Sequence, residues 1–216
     1  MRRLFIFLFV CLAFGACSKD SYNTGDSDLS HLRAEMVSMH VKETEVKSIV
    51  TDEDVTLEFN TLHVSESYAR PDTTYRALLY YNKVEGKPIE VISASIAKLL
   101  VPNAECKTKA TDPLTYVSGW IAPNHKYVNL CLGLMLGNAD DEKAKQSVEL
   151  QLDSVETDDS GHKTYFVSVK HDQGGVPQYY TQNYYFSIPL DGLQAGDKMQ
   201  FTVNTYKGTL TNSFTK

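Results

Sequence analysis

The sequence predicts an all-β protein, a sandwich or barrel built from short strands. Three observations carry this reading. From Val55 onward apolar and polar residues alternate with a period of two, and the apolar set is rich in β-branched and aromatic side chains. That is the pattern of a half-buried strand. Turn residues separate the alternating runs at intervals of about 8–12 residues or somewhat more, as in sandwiches and barrels. No long amphipathic helix and no clean internal repeat interrupts the series.

The elements follow in order. Glu35 to Ile49 mixes charges with Met36, Met39, Val41 and Val46, and suits a short helix or a first strand equally. Val55, Leu57 and Phe59 then alternate with Thr56 and Glu58. Tyr75, Ala77, Leu79 and Tyr81 alternate with Arg76, Leu78 and Tyr80. Glu85-Gly86-Lys87-Pro88 reads as a turn, and Ile89 to Ile92 restarts a strand. Ser93 to Leu100 reads as a short helix with Ile96, Leu99 and Leu100 on one side. The polar stretch from Pro102-Asn103 to Asp112-Pro113 marks a boundary between residues 35–103 and residues 104–216.

Beyond it, Val117 to Ile121 and Tyr127 to Met135 are strands, the second placing Val128, Leu130, Leu132 and Leu134 on one face. Residues 138–145 form a charged loop. Val148, Leu150 and Leu152 face inward, and Asp158-Asp159-Ser160-Gly161 is a strong turn. Tyr165, Val167 and Val169 follow, then the turn Gln173-Gly174-Gly175. Tyr184, Phe186 and Ile188 come next, and Met199, Phe201 and Val203 close the set.

The N-terminus carries an address. Arg2 and Arg3 precede an apolar run from Leu4 to Phe14, then Gly15 and Ala16, then Cys17. The run is too short to span a bilayer, which takes about 20 residues. Its layout is that of a cleaved signal peptide, residues 1–16. Phe14-Gly15-Ala16-Cys17 resembles a lipobox with phenylalanine in the usual leucine position, which makes Cys17 the lipidation residue. Several acyl chains hold a protein to a membrane stably. Ser18 replaces the aspartate that retains Gram-negative lipoproteins at the inner membrane, so the expected site is the outer membrane. Lys19-Asp20, Asp26 and Asp28 faintly resemble the acidic tags of surface lipoproteins, so periplasmic and surface faces both stay open. Residues 17–34 are mostly polar and read as a disordered tether.

Cleavage removes two arginines and no acid, leaving 19 basic and 27 acidic residues and a formal charge of −8. An acidic exterior argues against nucleic acid as a partner, because phosphates are held by Lys and Arg. It also leaves the anchoring to lipid rather than to charge. After cleavage, Cys106 and Cys131 are the cysteines that remain besides Cys17. An oxidising compartment allows them to pair, and burial as free thiols is the alternative. They make no C-x-x-C motif, and no metal or other cofactor is expected.

Several segments resemble a known family. Val117-Ser118-Gly119-Trp120-Ile121, Lys126-Tyr127-Val128-Asn129-Leu130 and Phe166-Val167-Ser168-Val169-Lys170-His171-Asp172 occur in that order, followed by the tyrosine-bearing strand Tyr179 to Ile188. They resemble the NigD-like lipoproteins. Tyr75 to Tyr81 and Ile92 to Leu100 resemble strands of that family's N-terminal module. The resemblance spans roughly residues 36–210, with Gln173-Gly174-Gly175 replacing the family's usual Asn-Gly-like turn. It implies an OB-like N-terminal barrel followed by a C-terminal antiparallel β-sandwich. It brings no catalytic residue to any position. The family's link to a bacteriocin gene cluster implies protection against a secreted toxin as one function.

The residues themselves name no reaction. The six histidines are scattered, with no H-E-x-x-H spacing and no G-x-S-x-G elbow. His171-Asp172 reads as a strand-to-turn junction, the aspartate capping backbone N–H groups. Asp52-Glu53-Asp54, Asp140-Asp141-Glu142 and Asp158-Asp159 lack the calcium-loop pattern and read as solvated turns. The thirteen tyrosines carry what remains. Tyr179 and Tyr185, with Asn183 and Thr181 on the face of Tyr185, offer a stacking and hydrogen-bonding surface for a sugar or peptide. The expected function is a non-enzymatic, lipid-anchored binding protein whose partner is an envelope protein or glycan. Toxin protection and a glycan- or peptidoglycan-acting enzyme are the alternatives.

Overall fold

A computed structural model describes residues 31–139 and 143–216. The signal peptide, Cys17, most of the tether and Asp140-Asp141-Glu142 lie outside the described residues. The described chain is all-β. Its strands are β1 (Leu32–Glu43), β2 (Glu45–Thr51), β3 (Arg70–Asn82), β4 (Glu90–Leu99), β5 (Thr115–Ile121), β6 (Tyr127–Leu136), β7 (Ser147–Thr157), β8 (Lys163–Asp172), β9 (Tyr180–Pro189), β10 (Lys198–Thr205) and β11 (Gly208–Thr215). One short 3₁₀ turn at Glu66–Tyr68 precedes β3.

The strands form a seven-stranded sheet, β2-β1-β3-β4-β9-β6-β5, and a four-stranded sheet, β11-β10-β8-β7. Two expectations are corrected here. Ser93 to Leu100 is strand, not helix: β4 pairs along β3 from Arg76↔Ala97 to Asn82↔Glu90, and that ladder outweighs the helix-like spacing of a few apolar residues. The N-terminal strands also form no closed barrel. β4 turns its far end to β9, with Lys98↔Phe186 and Leu99↔Ser187 in register, so the N-terminal sheet runs on into the C-terminal one.

The sandwich is also mixed rather than purely antiparallel. β8 and β10 are parallel. The chain leaves β8 for β9 in the other sheet and returns as β10, so it makes two reversals and arrives pointing the same way.

Alternation sorts the seven-stranded sheet into two faces. On one face, Val37, Met39, Ile49, Leu79 and Tyr81 form a core under the N-terminal strands. On the same face, Val128, Leu130, Phe186 and Ile188 pack against Leu150, Val167, Met199 and Phe201 of the second sheet. Phe201 also stacks on Phe214 and tilts against Tyr116. The opposite face carries a small cluster of Met36, Leu78 and Ala97 with Tyr80, Trp120 and Tyr185. That the face bearing Arg76 is not solvent is the main surprise of the fold.

Arg76 is only 2 % exposed. Its Nη1 lies 2.8 Å from Asp52 Oδ1 and its Nη2 donates to Asp52 Oδ2 at 3.0 Å. Nη1 also donates to Ser38 Oγ, Nη2 to Asn129 Oδ1, and Nε to Ser187 Oγ. Asn129 Nδ2 donates to Asp52 Oδ2 at 2.8 Å, and Ser187 Oγ donates to Asn129 Oδ1 at 2.7 Å. The guanidinium carbon sits 4.1 Å from the Tyr127 ring centre. The network therefore ties β1, β2 and β3 to β6 and β9. Outside it, the turn after β5 reaches the end of β2: Asn124 N donates to Asp52 O, and Lys126 Nζ and Asn124 Nδ2 donate to Asp54 Oδ1. The sheet is thus curled until its two ends touch without pairing.

Removing one partner of a buried ion pair strands the other charge, at a cost of about 3–5 kcal/mol. Asp52→Ala and Arg76→Ala are each expected to lower unfolding stability by about that much in urea titrations. The double variant should lose clearly less than the sum. Tyr81→Phe should leave the midpoint unchanged or raise it, because the Tyr81 hydroxyl is buried without a hydrogen-bond partner.

Candidate functional site

The curl leaves a cleft on the Arg76 face. It is about 420 Å³ in volume and is bordered by Ala34, Glu35 and Met36 of β1, by Thr51 to Glu53, and by Leu78 and Tyr80 of β3. Trp120 of β5, Pro123 and Tyr185 of β9 complete it. β1 and β3 are adjacent, so Met36↔Leu78 stand directly opposite and make an apolar floor. Trp120 arrives from the far edge of the sheet because the curl brings β5 over β1. Trp120, Tyr80 and Tyr185 are half-buried, each with ring surface to offer and a polar tip.

The acids around the cleft have different jobs. Asp52 is buried in the network below and is matched by Arg76. Glu35 borders the cleft, but its register with Leu79 puts its carboxylate on the opposite, Tyr81 face, 3.8 Å from the exposed Arg33. Glu53 is exposed and makes no ion pair among the described residues. The run Asp52-Glu53-Asp54 is thus not one solvated turn. Its members go to the network, the cleft rim and a surface pair with Lys126. Lys126 and then Asn124, donating to Asp54, hold that carboxyl below its ordinary value. Burial, and next the Glu35 carboxylate, push the Tyr81 phenol up to about 12.

The tyrosine surface expected from sequence is not one surface. Tyr185 faces the cleft, and directly across the ladder stands Cys131; burial first, then Cys131, pushes its phenol up. Tyr179 is 76 % exposed and precedes β9 at the strand's other end. Its ring lies over Gly137, where a Cβ would meet it at 2.7 Å. Asn183 is exposed and pairs in register with Gly133. The extended chain from Tyr179 to Tyr185 covers about 20 Å, so these two rings cannot hold one small ligand together.

Cys106 and Cys131 are both buried and free; they do not pair. Cys106 sits beside Asn103, whose carbonyl its thiol faces at 3.7 Å, whereas Cys131 lies mid-strand in β6 beside Tyr185. Burial pushes both thiols up. His171 is buried rather than solvent-facing, its Nδ1 donating to Asp112 O at 3.0 Å. Asp172 does cap the turn, accepting from Gly174 N at 2.8 Å. Gly174 has φ +56 and a Cβ there would meet Lys145 O at 2.1 Å, so glycine is required. Asp158 likewise caps its own turn through Ser160 N and His162 N. Among the described residues no group of three or more His, Cys, Asp or Glu is placed to hold a metal.

Trp120 and the Arg76 network are not singled out as a site by the sequence. A signal for the network is present: one arginine inside an otherwise apolar and aromatic strand, Tyr75 to Tyr81, where the alternation assigns it to a face that ought to be solvent.

No protein-family profile matches the chain, and no curated protein does. Solved structures do. A NigD-like immunity protein from Bacteroides caccae is similar with 18% identity over 85% of this chain and 96% of that one, at a TM-score of 0.62. A protein described as toxin-related from Parabacteroides distasonis is 16% identical over 86% of this chain and 93% of that one, at 0.61. A protein from Bacteroides fragilis, described as a lipoprotein, is 11% identical over 85% and 96%, at 0.56. These likenesses show the fold: the chain has the NigD-like architecture that its strand motifs resemble.

Two measurements check the site's chemistry. With Cys17→Ser, a thiol reagent should react slowly with the folded chain and reach both remaining cysteines only on unfolding. Because the Asp54 pKa is lowered on folding, its contribution is present above the unfolded value and lost as pH falls through the folded one. The urea midpoint should therefore drop as pH falls below the ordinary aspartate value of about 3.9, and Asp54→Asn should flatten part of that drop.

Proposed function

We propose that the protein is a lipid-anchored envelope protein that binds its partner in the Trp120 cleft. The cleft carries the reading: it is a concave site of about 420 Å³ with an apolar floor, three aromatic walls and a polar rim, the make-up of a binding pocket. It offers ring surface and hydrogen-bond acceptors, and its most buried acid, Asp52, is already engaged by Arg76 and Asn129. These groups suit the holding of a ligand. The anchor rests on the signal and Cys17, and is supported by the B. fragilis structure of the same fold described as a lipoprotein. Ser18 favours the outer membrane as the anchored layer.

Protection against a toxin is the second reading, favoured by the immunity protein of the same fold. It uses the same cleft, with the toxin or its target as the occupant.

Cys17→Ser should move the protein from membrane to soluble fraction; continued membrane retention would count against the anchor. Trp120→Ala should abolish partner capture from native envelope while the thermal melt stays cooperative, since Trp120 is only half-buried. Capture that survives Trp120→Ala would place the binding surface elsewhere. Deleting the gene should sensitise cells to a co-encoded toxin if protection is the role, and an unchanged kill curve rejects it.

A further inference from the structure

We infer that the cleft takes an uncharged saccharide, a pyranose ring laid against the face of Trp120; this rests on the cleft being the binding surface. The acids that border the cleft leave no free charge in it. Asp52 is matched by Arg76 and accepts from Asn129 as well. Glu35 stands opposite Leu79, so its carboxylate lies on the other face of the sheet, where Glu35 and Glu53 both act on the Tyr81 phenol. Rings and hydroxyls are what remain. Trp120, Tyr80 and Tyr185 pack against Met36, Leu78 and Ala97. The neighbouring strand β4 adds serines to the same face: Ser93 stands opposite Tyr80 and Ser95 opposite Leu78, and both are exposed. Ser118, two residues before Trp120 on β5 and opposite Cys131, shares that face too.

A pyranose matches such a surface. One face of the sugar ring is a patch of C–H bonds that packs flat on an aromatic ring, and its edge is a rim of hydroxyls that donate and accept. The Trp120 indole N–H and the hydroxyls of Tyr80, Ser93 and Ser95 have no hydrogen-bond partner among the described residues, so they are available to that rim. The cleft's volume of about 420 Å³ falls in the range of small-ligand sites. A charged sugar or peptide would enter without a counter-charge to replace its water. A wholly apolar side chain would fill the floor over Met36 and Leu78 but cover the polar tips around it, and each tip buried without a partner costs stability.

Trp120 is the chain's sole tryptophan, so its fluorescence reports the cleft alone. The test uses the full mature chain carrying Cys17→Ser. It is titrated with the neutral trisaccharides cellotriose, maltotriose, mannotriose and chitotriose, with the glucosamine trimer and trigalacturonate as charged sugars, and with acetyl-Gly-Phe-Gly amide. The expected result is a saturable change for at least one neutral trisaccharide, binding at least about 10-fold tighter than the charged sugars and the peptide. That affinity should hold as salt rises from about 50 to 500 mM, because no free charge takes part. By calorimetry, Trp120→Ala should weaken the best trisaccharide at least about 10-fold through lost ring contact. Ser95→Ala should weaken it about 2- to 5-fold through one lost hydrogen bond, with an unaltered thermal melt excluding misfolding as the cause. A charged sugar or the peptide binding as tightly overturns the uncharged-saccharide assignment while sparing the cleft. Silence of Trp120 toward every probe, or sugar binding unchanged in Trp120→Ala, overturns both.

Discussion

The fold depends on one buried ion pair. Arg76 and Asp52 meet where the N-terminal strands join the C-terminal ones, and the direct strand pairing at that joint is slight, with two register pairs between β4 and β9. A joint so short does not by itself fix how far the sheet curls. The arginine does, because its donors reach β1 at Ser38, β6 at Asn129 and β9 at Ser187 while its charge is held by Asp52 after β2. Asn129 and Ser187 are fully buried. Their amide and hydroxyl groups have nowhere else to bond, so the wrong curl leaves several polar groups unpartnered at once. A buried pair is weak evidence for stability as such. Its value here is geometric: it accepts one relative placement of the two halves and penalises the rest.

The cleft follows from that placement. Had the sheet stayed open, Trp120 at one edge and Met36 near the other would lie several strands apart, at about 4.8 Å per strand. The curl sets Trp120 over Met36 and Leu78, and the surface pair Asp54–Lys126 closes the rim beside it. Polar groups bonded below and rings gathered above are two sides of the same bend. This also explains why the apolar cluster on this face is small. Most of the face is given to the network, and what apolar surface remains is concave and accessible.

Much of the fold is legible in the sequence, and the reasons are local. Alternation locates the strands from Val148 to Val203, because each half-buried strand writes its own period. The turns at Asp158 and Gln173 are legible because their glycines and aspartates answer a backbone requirement. What is lost is long-range. Ser93 to Leu100 reads as helix, since a few apolar residues fit two periods and only the ladder with β3 decides between them. The parallel pairing of β8 with β10 leaves no local trace, because it depends on the excursion through β9. The site is legible in one part, Tyr185, whose outward alternation is correct. Tyr179 does not belong to the same surface, since sharing a face does not put residues close together along a strand. The acid run at residues 52–54 looks uniform, yet its adjacent residues point to different faces and so meet an arginine, a cleft and a lysine.

The position of the cleft bears on how an anchored protein would use it. Ala34, Glu35 and Met36 lie at the start of β1, seventeen to nineteen residues from Cys17 in sequence. Fully extended, a stretch of that length spans at most about 70 Å, and a flexible one keeps its ends closer than that. A lipid at Cys17 would therefore confine the cleft to a thin shell beside the membrane. The confinement raises its effective concentration toward anything presented at that surface, without adding a contact. A modest affinity of the aromatic cleft would then suffice, because the anchor would supply proximity and the cleft need supply only selectivity.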